Sequence, residues 1–296
     1  MKSVLIVLLG ACSYGVLSTF VKIAYGEGFS VAEVTGSQVL LGAVILGAVR
    51  LMMGTKSRIA PKQLLSLLLV GFAPGLTGIF YYSALQTIPA SLAVVLLFQF
   101  TWMGVLLDSL LHRRWPTRTQ WAALGLLFIG TYLAGDPAQQ ALEGLAPEGV
   151  AFGMLSALSY AVFVICSGKV AADVPPLTRS LAVAAGSAAV TFLMFPPVFL
   201  VDGSLMDSGL LFWGVLLALF GVVIPTLFFA IGVPKIGGSL ATILGAAELP
   251  TAVLLSSAVL HETVRWIQWI GVAVIIAGIA LPELHLLKKP APKQSA

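Results

Sequence analysis

The sequence predicts an all-α polytopic membrane protein, with ten transmembrane helices arranged as two inverted five-helix repeats. Three observations predict it. Of the 296 residues, 59% are hydrophobic and only 9% charged, against roughly 25% charged in soluble domains. The apolar residues gather into runs of the length that spans a bilayer as helix, longer than a membrane strand needs. Segments also recur in order at one offset: Ser91-Leu92-Ala93 answers Ser239-Leu240-Ala241 and Gln120-Trp121 answers Gln268-Trp269, each 148 residues on. Five spans per repeat, an odd number, turn the second half over in the membrane.

The ten spans are expected near residues 3–25, 31–53, 63–84, 88–110, 118–135, 148–169, 178–200, 209–231, 235–260 and 266–284. The first run is too long for a signal segment and lacks a convincing small-residue cleavage site, so it reads as a retained span. Its Ala11-Cys12-Ser13-Tyr14 answers Ala157-Leu158-Ser159-Tyr160 of the sixth. In the third, Gly71, Gly75, Gly78 and Tyr82 share a face, the pattern of close helix packing that opens into a polar wall. Pro74 in the third and Pro225 in the eighth remove ladder donors and permit bending. Gln99–His112 in the fourth pairs with Glu248–His261 in the ninth at offset 149. The longest connection, Gly135–Pro147, is polar and acidic and joins the halves. The repeats are therefore 1–135 and 148–284, with 285–296 as a cytoplasmic tail.

Charge gives the orientation. With the N-terminus in the cytoplasm, fourteen Lys and Arg residues fall inside, among them Arg50, Lys56, Arg58, Arg113, Arg114, Lys169, Arg179 and Lys235, and only Lys22 and Arg265 outside. That is the positive-inside bias of a multi-pass protein of the cell membrane with both termini cytoplasmic. The basic residues sit in short breaks between apolar runs, so the net charge of +4 implies lipid neighbours and no nucleic acid. Cys12 and Cys166 lie inside apolar runs without metal-ligand spacing and read as packed thiols. No metal or cofactor is implied, and no phosphate-binding loop of the G-x-x-x-x-G-K-[ST] type is present for ATP to drive the protein directly. A homodimer is left open.

Glu248 is the sharpest candidate residue. A charge at mid-span costs at least about 2.5 kcal/mol on the most lenient insertion scale, and no Lys or Arg falls at its depth. Burial favours its neutral form until water or a cationic group arrives, which suits proton coupling or an amine. The alternative is a neutral Glu bonded inside the bundle. Gln99 is its repeat partner, with Trp102 one turn on, where an indole can cover an amine or simply pack. Tyr14, Tyr82 and Tyr160 sit mid-span, away from the interfacial belts, where a tyrosine hydroxyl needs a partner or a wet cavity. His112, His261 and His285 lie at span ends and read as solvated.

Glu248-x-Pro250, the turn His261-Glu262, then Trp269-Ile270-Gly271 and a closing Ala277-Gly278 resemble the end of an EamA-type repeat. These are the bacterial members of the drug/metabolite transporter superfamily, and the resemblance covers essentially the whole chain. Two departures stand out: Gln38 lies where the family leads one to expect an arginine, and the first repeat has His112-Arg113 where the second has His261-Glu262. The resemblance implies a carrier working by alternating access on small metabolites, many relatives exporting amino acids. The residues themselves point to a polar or amphipathic small molecule, with an amine favoured by Glu248 and the tyrosines. Proton coupling through Glu248 or substrate exchange would drive it. The other class is a non-transporting sensor or a subunit for another membrane protein. An enzyme would need acid, base or metal groups converging in one place, and the buried ionisable inventory is almost one Glu.

Overall fold

The computed structural model describes residues 2–54, 59–85, 87–88, 90–135, 146–207, 209–259 and 264–288. Among them every regular element is helical: α1 Lys2–Gly26, α2 Val31–Met52, α3 Pro61–Leu85, α4 Ala90–Leu97, α5 Phe100–His112, α6 Arg118–Ala134, α7 Pro147–Lys169, α8 Pro176–Met194, α9 Ser204–Asp207, α10 Leu210–Ala218, α11 Ile224–Ile236, α12 Gly238–Gly245, α13 Glu248–Val259 and α14 Trp266–Lys288. Most of the interhelical linker, the His261-Glu262 turn, Lys56, Arg58 and the last residues of the tail lie outside the described residues. The helices start where their sequences supply partners for the first N–H groups. Ser30 and Glu33 form a reciprocal capping box on α2 and Thr117 and Gln120 one on α6, while Pro147 and Pro176 open α7 and α8 where their missing donor costs nothing.

Among the described residues, eight helical stretches are long and apolar enough to cross a membrane, and the apolar part of α14, Trp266–Pro282, is shorter. The fifth expected span is the 17-residue α6. The seventh ends at Met194, six residues short of expectation, because Pro196-Pro197 cannot continue it. The eighth is longer than expected and runs through Pro234 to Ile236. Proline at 234 removes the donor that would serve the Ala230 carbonyl, and Arg179 Nη1 of α8 supplies it instead at 2.9 Å. A second carbonyl in the same stretch is rescued likewise. Leu219–Val223 is wound as a π-helix, in which the Phe220 carbonyl would take the N–H of residue 225, a proline. Ser13 Oγ of α1 donates to it at 2.7 Å.

The fourth and ninth spans are the main difference from the sequence reading. Each is broken in two, at Phe98-Gln99 between α4 and α5 and at Ala246-Ala247 between α12 and α13. At the second break Pro250 lacks the N–H for the Ala246 carbonyl, which Leu249 N–H takes at 3.3 Å by tightening to a three-residue reach. At the first, Gln99 N–H and Thr101 N–H make the same short reach to Leu96 and Phe98.

The bundle interleaves the two ends of the sequence. α3 packs on α7 and α8, and α1 on α11 and α13; α2 packs on α8 and α10, and α5 on α7 and α12. α6 lies along α14. Close approach comes from small residues, as it does between helices without a hydrophobic drive. A Cβ on Gly71 would stand 2.2 Å from the Val183 carbonyl and one on Gly186 2.1 Å from that of Leu68, so α3 and α8 touch backbone to backbone. Arg179, counted above among the basic residues of the cytoplasmic side, is 2% exposed and bonds the carbonyls of Ala230 and Ser167.

Candidate functional site

Glu248 opens α13, at the break, and is partly accessible. Its backbone is clamped by α1: a Cβ on Gly15 would fall 2.4 Å from the Glu248 carbonyl oxygen and 2.6 Å from Thr251 Cβ. Tyr14, the residue before Gly15, presents its ring to the same place. Tyr14 and Tyr160 meet edge to face with centroids 5.7 Å apart, and both lie within electrostatic reach of the Glu248 carboxylate. Phe100 packs on Tyr160 at 4.5 Å, and Phe163 and Phe229 continue the aromatic wall. Among the described residues no Lys or Arg pairs with Glu248.

Tyr160 carries the observation that matters most. It is 5% exposed, and its hydroxyl has no hydrogen-bond partner among the described residues. An unmade bond on a buried hydroxyl costs about 1–3 kcal/mol, so such a group is expected to meet a ligand or water. Cation-accepting ring faces, a carboxylate and a waiting hydroxyl together suit a small molecule with an ammonium or hydroxyl group.

The other expected site residues are placed elsewhere. Gln99 turns its amide back on the two halves of its own span: Nε2 donates to the Val95 carbonyl of α4 at 2.9 Å and Oε1 accepts from Trp102 Nε1 of α5 at 2.9 Å. Gln99 and Trp102 line a separate cavity of about 270 Å³ against α6, with Trp121, Leu124 and Phe128. Tyr82 lies further along α3, its ring 6.4 Å from Tyr25 and 6.0 Å from Tyr81. Tyr81 is the residue the sequence reading passed over: it too lies within electrostatic reach of Glu248. Thus Glu248, Tyr14 and Tyr160 come together, Tyr81 joins them, Tyr82 borders them through Tyr81, and the Gln99–Trp102 pair stands apart. Gln38 packs at the π-helical turn, its amide where a Cβ on Gly221 would go. No group of three metal-ligating side chains occurs among the described residues.

Comparison with known proteins follows the same outline. The model of the EamA-like transporter family matches residues 1–135 and 147–282. The threonine/homoserine exporter RhtA of Salmonella typhimurium is 27% identical over 267 residues, 86% of either chain. An uncharacterized transporter of Archaeoglobus fulgidus is 28% identical over 276 residues, 93% of this chain and 94% of its own. A solved crystal structure superposes with a TM-score of 0.79 at 20% identity, over 96% of this chain and 99% of the other, a likeness of fold.

Proposed function

The chain belongs to the EamA-like transporter family, and from that premise we propose that it is a secondary carrier exporting a small amino acid or amine-like metabolite. It spans the cell membrane ten times in two inverted repeats, with both termini in the cytoplasm, and works by alternating access. The single observation that carries the substrate class is the unpartnered Tyr160 hydroxyl beside Glu248 and Tyr14. The family match and the relatives' named activity support export of amino acids.

The packing supports inversion and alternation together. Exchange each helix for its repeat partner, and α3 on α8 becomes α10 on α2; α5 on α7 becomes α13 on α1; α4 on α7 becomes α12 on α1. All six packings are present. Others occur on one side only. α5 packs on α12, and α7 on α11 and α12, whereas their counterparts, α13 with α4 and α1 with α3 and α4, make no comparable packing among the described residues. The packed side carries Lys169, Arg179 and Lys235, the side that charge assigns to the cytoplasm. On this reading the structure is closed inward and open outward, and transport exchanges the two sets.

The test is counterflow in liposomes holding purified protein, preloaded with threonine or homoserine and offered the labelled compound outside. Labelled substrate should accumulate transiently with either compound and with no energy source. If neither these nor a panel of other amino acids and amines exchange, the protein is not a carrier of this class.

A further inference from the structure

We propose that Asp108 is the positioning residue of the inner gate: its carboxylate holds the α12 half-helix, and with it Glu248, in the outward-open arrangement. The inference rests on the alternating-access reading above.

Three helix ends from both repeats converge on this one carboxylate. Asp108 sits in the last turns of α5, 9% exposed. Its Oδ2 accepts the Ser239 N–H at the start of α12, at 3.2 Å. Its Oδ1 faces Lys169 Nζ, the last residue of α7, at 3.6 Å, and His112 Nδ1 at 3.2 Å. Gln120 of α6 closes the cluster by donating to Ser239 Oγ at 2.6 Å. Asp108 therefore caps a helix of the other repeat, satisfying a first-turn N–H and meeting the positive end of its dipole.

The chain around α12 is shaped for this contact. Gly237 turns at φ +86°, a conformation glycine adopts without strain. A Cβ on Gly238 would stand 3.1 Å from Asp108 Oδ1. One turn further, Gly104 of α5 receives Thr242, whose Cγ2 would be 2.2 Å from any Cβ there. This lock is one-sided. The repeat partner of Asp108 at offset 149 is Ser257, so the outer gate has no carboxylate in the place of Asp108.

The lock is tied to the binding site through the length of α12. Its eight residues make a rigid rod of about 12 Å, anchored by Asp108 at one end and entering the Ala246-Ala247 break before Glu248 at the other. Opening the inner gate draws Ser239 away from Asp108, and the rod carries the break with it. A gate held by one capped N–H and one ion pair is strong enough to set a resting state and weak enough to release.

Sided labelling of a thiol tests this without any substrate. In a Cys12→Ala, Cys166→Ala background, Thr242→Cys places a thiol in the α5–α12 seam, where Thr242 is fully buried. Inside-out vesicles are treated with a membrane-impermeant maleimide. With Asp108 intact the thiol should label slowly. Asp108→Ser, which gives the inner gate the residue of the outer one, should raise the rate about tenfold, and Lys169→Met, which leaves the cap in place, should raise it less. Slow labelling unchanged in both variants would overturn the latch while leaving alternating access standing. Fast labelling with Asp108 intact would contradict the outward-open reading itself, and with it the latch. Should Asp108→Ser fail to reach the membrane, Lys169→Met alone decides between the first two outcomes.

Discussion

The two helix breaks share a backbone and differ in what they leave free. At the first, Gln99 spends both ends of its amide within its own broken span, on Val95 of α4 and Trp102 of α5. At the second, Glu248 has no such bonds among the described residues, stands on a backbone that Gly15 lets α1 approach, and has Tyr14, Tyr81 and Tyr160 within electrostatic reach. A side chain that has satisfied itself is finished structure; one that has not is available to a ligand. The same discontinuity occurs twice, and on the function proposed above chemistry is invested in one copy.

The sharpest way to break this comparison is at Gly15. Gly15→Val forces α1 off the Glu248 backbone, since even a Cβ would lie 2.4 Å from it. Overpacking costs about 1–3 kcal/mol, and counterflow should fall by about a hundredfold or more while Gly28→Val, at a solvent turn, affects the protein through its own loop alone. Next comes Tyr160→Phe, which keeps the ring and removes the waiting hydroxyl. Loss of one neutral hydrogen bond, about 0.5–1.5 kcal/mol, should raise the apparent KM roughly three- to tenfold with turnover little changed. An unaltered KM would detach the hydroxyl from the substrate. Smallest is Gln99→Leu. It severs the bond to Trp102, a cost of about 1 kcal/mol seen as a lower melting temperature, and should leave KM within twofold. A tenfold rise there would make the two breaks one site.

The broad plan was readable in the residues because a bilayer imposes it: backbone groups must bond within the helix, so apolar runs become helices of fixed length. Glu248 was readable for the same reason, as a carboxylate that hydrocarbon penalises. The breaks were hidden. Phe98-Gln99 and Ala246-Ala247 lie in runs apolar enough to read as one helix each, and Pro250 was the one local sign. Tyr81 was overlooked because its neighbour Tyr82 continues the stripe of Gly71, Gly75 and Gly78; adjacent helical residues point about 100° apart, and it is the off-stripe tyrosine that reaches Glu248. Arg179 looked like a flanking charge until Pro234, fifty-five residues on, proved to need a donor for the Ala230 carbonyl. Asp108 hid likewise near a basic turn, where a carboxylate needs no explanation. Tyr81, Arg179 and Asp108 are each explained by a residue far along the chain.

The central claim is that the carboxylate at the second break couples the cycle. Its most direct test is Glu248→Gln in liposomes, compared with wild type in counterflow and in uphill transport across a range of pH. The substitution keeps size and hydrogen bonding and fixes the neutral form. It should reach the membrane at normal levels, lose accumulation against a gradient, and leave a residual exchange that does not vary with pH as the wild type's does. A variant that concentrates substrate as well as wild type, with the same affinity and the same pH profile, would make Glu248 a structural residue and contradict the account.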